Sequence, residues 1–278
     1  MHINRIDYSD GSEWVLELKR YALAIEYDGR DFSGWQIQPR MVTVQGEMER
    51  AVAKMAGHEI RVHAAGRTDA GVHASRQIVH FDTAVQRPIT AWVRGVNSFL
   101  PSGIAVLWAR EVPNHFHSRF VATARHYRYL LLRHPVRPSL QAGRVGWIHY
   151  DVDVDKMRAA AQHLLGEHDF SSFRAAECQA LSPIKLLQRI EISEQGNMLC
   201  FDFSAGAFLH HMVRNMMGAL LHIGKGNEEP EWMAWLLAQQ NRQSAPPTFM
   251  PDGLYLTGVT YPAEFALPTE PEYRYGLI

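Results

Sequence analysis

Apolar and polar positions along this chain repeat with two periods, and the order in which the periods change outlines a fold. Tyr21, Leu23, Ile25 and Tyr27 alternate with Ala22, Ala24 and Glu26, which predicts a strand. Val44, Met48, Ala51, Val52 and Met55 share one helical face, with Thr43 placed to cap the helix and Gly57 to end it. Ile60, Val62 and Ala64 alternate again and lead into the polar loop Gly66-Arg67-Thr68-Asp69-Ala70-Gly71. Gln77 to Asp82 predicts the next strand. Trp92, Val93, Val96, Phe99 and Leu100 form a second helical stripe stopped by Pro101, and Ile104 to Val112 ends the half as a strand.

The same order returns in the second half. Thr123 to Leu132 is strand-like, and Asp153 is placed to cap a helix that buries Met157, Ala160, Ala161, Leu164 and Leu165 before Gly166. Lys185 to Ser193 and Met198 to Phe203 flank the turn Gln195-Gly196-Asn197 and predict a hairpin. Phe208 to Ile223 predicts a long apolar helix, and Pro230 opens a further helix through Trp232, Trp235 and Leu236. Leu254 to Tyr261 is the last strand. Two tandem βαββαβ (ferredoxin/RRM-like) halves follow, an α+β class related by a pseudo-two-fold. They are expected to form a largely antiparallel central sheet with helices on one face and a cleft between the halves. The expected boundaries are an N-terminal extension over 1–18, a first half over 19–113 and a second half over 114–278.

Composition removes several classes of function. Of 278 residues, 46% are hydrophobic and 21% charged, which excludes a disordered chain or a collagen. Lys and Arg number 28 against 29 Asp and Glu, so bulk charge does not hold this protein on a polyanion, and only a local patch could. Such a patch is suggested between Arg110 and Tyr150, where seven Arg accompany a single acid, Glu111. Arg suits bidentate phosphate contact and base stacking, although a solvated surface face would have the same composition. Cys178 and Cys200 are too few and too far apart for a disulfide framework or a zinc site. The first twenty residues have no signal-peptide core, and the most apolar stretch, Ala205 to Gly224, is interrupted by His210, His211, Arg214, Asn215 and His222. A cytoplasmic protein without a membrane span and without metal is expected.

Most familiar catalytic plans are missing. Asp151-Val152-Asp153-Val154-Asp155 resembles the start of a Ca²⁺ loop, but Lys156 stands where Gly is needed. Gly224-Lys225-Gly226 lacks the Ser or Thr of a phosphate-binding loop. What remains is Asp69 on its glycine-bounded loop, either a turn residue bonding its own backbone or a displayed carboxylate able to act as nucleophile or general base. Phe116-His117-Ser118-Arg119-Phe120 and Ala124-Arg125-His126-Tyr127-Arg128-Tyr129 interleave aromatics with Arg, as a stacking platform for unpaired bases would. Tyrosines packed in the core would read the same way. Arg214, if its helix is covered on both sides, needs an anionic partner.

These residues resemble a known family. Gly34-Trp35-Gln36-Ile37-Gln38, Ala65 to Ala74 (AGRTDAGVHA), FHSRF, ARHYRY and Phe208 to Asn215 (FLHHMVRN) look like the TruA-type tRNA pseudouridine synthases, in the same order from Arg20 to Pro262. The resemblance implies a homodimeric enzyme without metal or cofactor that isomerises uridines 38, 39 and 40 of the tRNA anticodon stem-loop. It also implies that Asp69 is the catalytic aspartate, Tyr127 the residue stacking on the target base and Arg214 the partner of the carboxylate. Arg67 matches a loop arginine tied to base flipping, Leu254 an apolar active-site residue, and Phe116, His117, Arg119, Phe120 and Arg125 an RNA-contacting set. Arg76 departs from the family pattern, where Gly is usual, and the N-terminal extension has no counterpart. A non-catalytic RNA chaperone made of two RRM-like units is the rival reading; in it Asp69 would be a turn residue far from Arg214 and Tyr127.

Overall fold

The alternating strands assemble edge to edge because each carries an apolar set on the same side. In the computed structural model, which describes residues 17–268, ten strands form one sheet and four α-helices cover it. The elements are β1 (Lys19–Tyr27), α1 (Val44–Ala56), β2 (His63–Ala64), β3 (His73–Thr83), β4 (Ile104–Val112), β5 (Ala124–Arg133), β6 (Gly146–Ile148), α2 (Val154–Gln162), β7 (Gly166–Asp169), β8 (Ile184–Gln195), β9 (Met198–Ala205), α3 (Met212–Gly224), α4 (Trp232–Gln239) and β10 (Leu254–Thr260). The expected N-terminal extension lies outside the described residues apart from Glu17 and Leu18. Among the described residues no helix is long and apolar enough to cross a membrane.

The strand path is β4-β1-β3-β10-β5-β9-β8-β7, with β2 beside β3 and β6 beside β5. Each repeat keeps its fourth strand, first strand and third strand in the same order (β4-β1-β3 and β10-β5-β9), joined by antiparallel ladders. The halves meet where β10 runs parallel to β3, Tyr255 beside His73 and Leu256 beside Ala74. That join corrects the expected pseudo-two-fold. A two-fold would pair equivalent strands, whereas here the last strand of one repeat joins the third strand of the other, so the halves follow head to tail.

Tyr21, Leu23, Ile25 and Tyr27 face the main core, together with Met48 and Val52 of α1, Met157 of α2, Met216 and Leu220 of α3 and Leu236 of α4. All four helices therefore cover one face of the sheet. Ala22 and Ala24 face the other side, where Ile78, Trp108, Phe116 and Phe265 form a smaller core. The small residues of β1 are what let the segment carrying Phe116 lie against the back of the sheet.

Local signals set most helix ends. The Thr43 side chain accepts from the Gly46 N–H and Gly57 closes α1 at φ 77°, while Asp153 accepts from the Lys156 N–H at the start of α2. Three boundaries depart from the periodicity. The alternation Ile60–Ala64 pairs only over His63–Ala64, and the stripe after Pro88 includes a wide turn, Ala91–Gly95, that drives Trp92 between Tyr21 and Phe81. The long apolar helix starts at Met212, not at Phe208, because His211 has φ 61° and a left-handed residue cannot continue a right-handed helix. Strands β6 and β7 have no alternating pattern, and neighbouring strands impose them.

Candidate active site

The loop between β2 and β3 is shaped by its glycines. Gly71, at φ 79°, occupies the third position of a turn closed by the Val72 N–H donating to the Asp69 carbonyl, 3.1 Å. Asp69 thus uses its backbone, not its side chain, to make the turn, and the carboxylate is left to face outward from the loop. Gly34, at φ 84°, lies under the loop, where an added Cβ would stand 2.8 Å from the Thr68 carbonyl oxygen. Beside it the Trp35 N–H donates to that carbonyl, 3.0 Å, and the Thr68 hydroxyl bonds the buried Tyr27 hydroxyl, 2.8 Å. His73 fastens the far end. Its Nδ1 accepts from the Gly29 N–H, 3.0 Å, which leaves Nε2–H to donate to the Gly143 carbonyl at 2.9 Å. One neutral ring therefore ties the loop to both halves.

The carboxylate meets three cationic or titratable groups contributed by the second half. Arg214 Nη1 lies 3.0 Å from Asp69 Oδ2, His211 Nε2 lies 3.4 Å from the same oxygen, and His210 Nε2 lies 3.2 Å from Oδ1. Arg214 is itself aimed by Nε, which donates to the Phe249 carbonyl at 2.9 Å. Burial pushes the Asp69 carboxyl up, but the His210 hydrogen bond and the charges of His211 and Arg214 outweigh it, so its pKa falls below the ordinary carboxylate value. The bond to Asp69 raises the His210 pKa, whereas burial lowers that of His211 despite the carboxylate. The left-handed turn at His211 is what brings two consecutive imidazoles, with ring centres 4.0 Å apart, onto one carboxylate.

Tyr127 sits on β5 beside this cluster. Its ring is buried, meets Phe208 edge-on at 5.1 Å, and its hydroxyl lies 3.9 Å from where a Cβ on Gly66 would stand. Burial pushes its phenol pKa up, and the nearby Asp69 charge adds to that, so the hydroxyl stays protonated. Leu254, buried on β10, lies opposite Tyr129. Arg67 is exposed at the rim and donates to Gln179 Oε1, 3.1 Å, reaching the loop 174–182 of the second half. Asp69, Arg214, Tyr127, Arg67 and Leu254 are thus gathered where the halves meet.

The RNA-contacting set divides. Phe116 is fully buried against Tyr261 and Phe265, and this corrects its expected role, because its ring is core and not available to a ligand. Arg125 is a second correction. It is buried with its guanidinium donating to the carbonyls of Ala65, Ala122, Gly206 and Arg119, so it clamps the segments at Ala65, Arg119–Ala122 and Gly206 together. His117, Arg119 and Phe120 do reach the surface. The Phe120 ring is 73% exposed, stacks on His117 at 4.2 Å and has the Arg119 guanidinium 5.7 Å from its centre. The arginine-rich stretch as a whole is not one patch. Arg128 pairs with Asp202, Arg133 with Asp151 and Glu194, and Arg144 with Asp28, acids brought in from distant segments.

The apolar periodicity does not assign His210 and His211 to the site. Their signal was present, two adjacent histidines just before Met212-Val213-Arg214, but a helix over this stretch would have sent them to different faces.

A family model described as tRNA pseudouridine synthase matches residues 23–121 and 160–262. The chain is 62% identical over 254 residues to tRNA pseudouridine synthase A of Chromobacterium violaceum, covering 91% of this chain and 97% of that protein. To the protein of the same name from Thiobacillus denitrificans it is 58% identical over 255 residues, covering 92% and 98%. To that from Methylobacillus flagellatus it is 54% identical over 259 residues, covering 93% and 99%.

Proposed function

The chain belongs to the tRNA pseudouridine synthase family, and on that premise we propose that it isomerises uridines 38, 39 and 40 of the tRNA anticodon stem-loop with Asp69 as the essential carboxylate. The observation that carries this reading is the Asp69–Arg214 pair at 3.0 Å across the junction of the halves. A turn residue of an RNA chaperone would have no need of it.

In the reaction the N1–C1′ bond breaks, the uracil turns and C5 joins C1′; C5 gives up its proton and N1 takes one. No oxidant, reductant or nucleotide is consumed. Asp69 is held ionised by its cationic neighbours and so is ready to act as nucleophile or base at physiological pH. The target base must leave its stack to reach a carboxylate at this depth, and Tyr127, buried beside that carboxylate, is the residue assigned to stack on it. Arg67 at the rim would enter the gap left in the RNA, and Leu254 would help exclude water so that the detached uracil is recaptured. Arg119, over the Phe120 ring, and Phe120, stacked on His117, supply a phosphate contact and a base contact further out. The functional units are the halves 19–113, carrying the Asp69 loop, and 114–278, carrying Tyr127 and Arg214, and two copies of the chain act together as a homodimer.

Mapping of pseudouridine in tRNA transcripts incubated with the enzyme tests the position. Modification should appear at uridines 38–40 and vanish when these are replaced by cytidine. Modification elsewhere in the tRNA would overturn the assignment. A sedimentation run showing only a 31.6 kDa species would remove the dimer.

A further inference from the structure

The two histidines give the site a property that the isomerisation does not use. Asp69, His210 and His211 each offer one ligand atom, and these atoms all lie within 4.8 Å of one another. In a tetrahedral zinc site with bonds near 2.1 Å the ligand atoms stand about 3.4 Å apart. His210 Nε2 stands 3.2 Å from Asp69 Oδ1 and His211 Nε2 stands 3.4 Å from Oδ2, so the two imidazoles already bracket the carboxylate, one on each oxygen. Bringing three ligands around one ion then needs one carboxylate oxygen to turn toward both rings. The left-handed backbone at His211, unusual for a residue other than glycine, is what holds both imidazoles on the same side.

We propose that Asp69, His210 and His211 form a binding site for a borderline divalent cation of the Zn²⁺ class, and that its occupancy silences the enzyme. Two imidazoles and one carboxylate suit Zn²⁺, Co²⁺ or Cu²⁺ and not Mg²⁺ or Ca²⁺, which take oxygen ligands. The site is reachable, since the His210 and His211 side chains are 40% and 27% exposed. Arg214 occupies Oδ2, so the ion and the guanidinium would share the carboxylate, and their repulsion makes the site weaker than a structural zinc site. An ion there takes up the Asp69 carboxylate and blocks the approach of a base. The inhibitory half of this inference rests on the reading of Asp69 as the essential carboxylate; the binding half does not.

The test uses the full chain stripped of metal. Co²⁺ is titrated with visible absorption and Zn²⁺ with calorimetry, and pseudouridine formation is measured over the same Zn²⁺ range. We expect one equivalent bound, inhibition with the same midpoint, and reversal by EDTA. His210→Gln, His211→Asn (Asn tolerates the left-handed backbone) and Asp69→Asn should each weaken binding at least tenfold. The second histidine cluster, His63, His80 and His117, provides a control, and His117→Gln should leave the titration unchanged. Absence of stoichiometric binding, or binding that follows His117 and not the three proposed ligands, overturns the site. Binding at the three ligands without inhibition would leave the site standing and instead overturn the role given to Asp69.

Discussion

Replacing Asp69 by Asn separates the chemistry of the site from its binding. The two side chains are nearly equal in size, so the loop keeps its turn, which depends on the Asp69 carbonyl and Gly71 and not on the carboxylate. The change removes the anion from a partly buried pair, with Asp69 and Arg214 side chains 19% and 14% exposed. Breaking a buried pair costs about 3–5 kcal/mol. Here the amide oxygen can still accept from Arg214, and Arg214 keeps its bond to the Phe249 carbonyl, so about 2 kcal/mol is expected. For a chain of this size that lowers Tm by about 4–6 °C, well short of unfolding at assay temperature. An amide can serve neither as nucleophile nor as base, so the turnover rate should fall at least about 1000-fold. Binding of tRNA should not weaken, because the site becomes more positive toward a polyanion. The assay is tritium release from tRNA labelled at uridine C5, with a thermal scan and a binding titration on the same preparation. Activity within tenfold of wild type would falsify the role of Asp69, and loss of tRNA binding with activity would mean that the residue is structural.

Four further outcomes are expected. Arg214→Gln removes a group that holds Asp69 ionised, so the Asp69 pKa should rise and the acid limb of a kcat/KM profile should move to higher pH; an unmoved limb would show that Arg214 does not act through this carboxylate. Tyr127→Phe keeps the ring against Phe208 and should retain most activity, whereas Tyr127→Leu should lose at least tenfold in tritium release, and equal effects of the two would exclude stacking. Arg119→Ala should lower the salt dependence of tRNA binding by about one counterion, while Arg125→Lys should lower Tm and leave that slope unchanged. The His80 ring accepts the Ser118 N–H at Nδ1, 3.2 Å, and burial, followed by its charged and histidine neighbours, lowers its pKa to about 3. Its neutral form therefore contributes stability that is complete above pH 6.5 and is lost as pH falls toward 3. His80→Gln should be less acid-sensitive over that window in an acid-unfolding titration.

The alternation in β1, the Thr43 and Asp153 caps and the glycine at the end of α1 are local, and neighbouring residues suffice to set them. So the α+β class and the repeated strand order were legible from periodicity, and the Asp69 loop from its bracketing glycines. The loop sequence AGRTDAGVHA carried the family by resemblance. Three-dimensional neighbours decided the rest. Which strand joins the halves depends on β3 and β10, separated by more than 170 residues, and no period in either encodes the partner. Whether an arginine meets RNA or the protein's own carbonyls depends on what lies across from it, so Arg119 and Arg125 look alike in sequence and end in opposite environments. His210 and His211 reach Asp69 only because one residue adopts a left-handed backbone that the apolar pattern hid. Local sequence acts over a few residues, whereas charge pairing and burial act through space, and the site is built from the second kind of force.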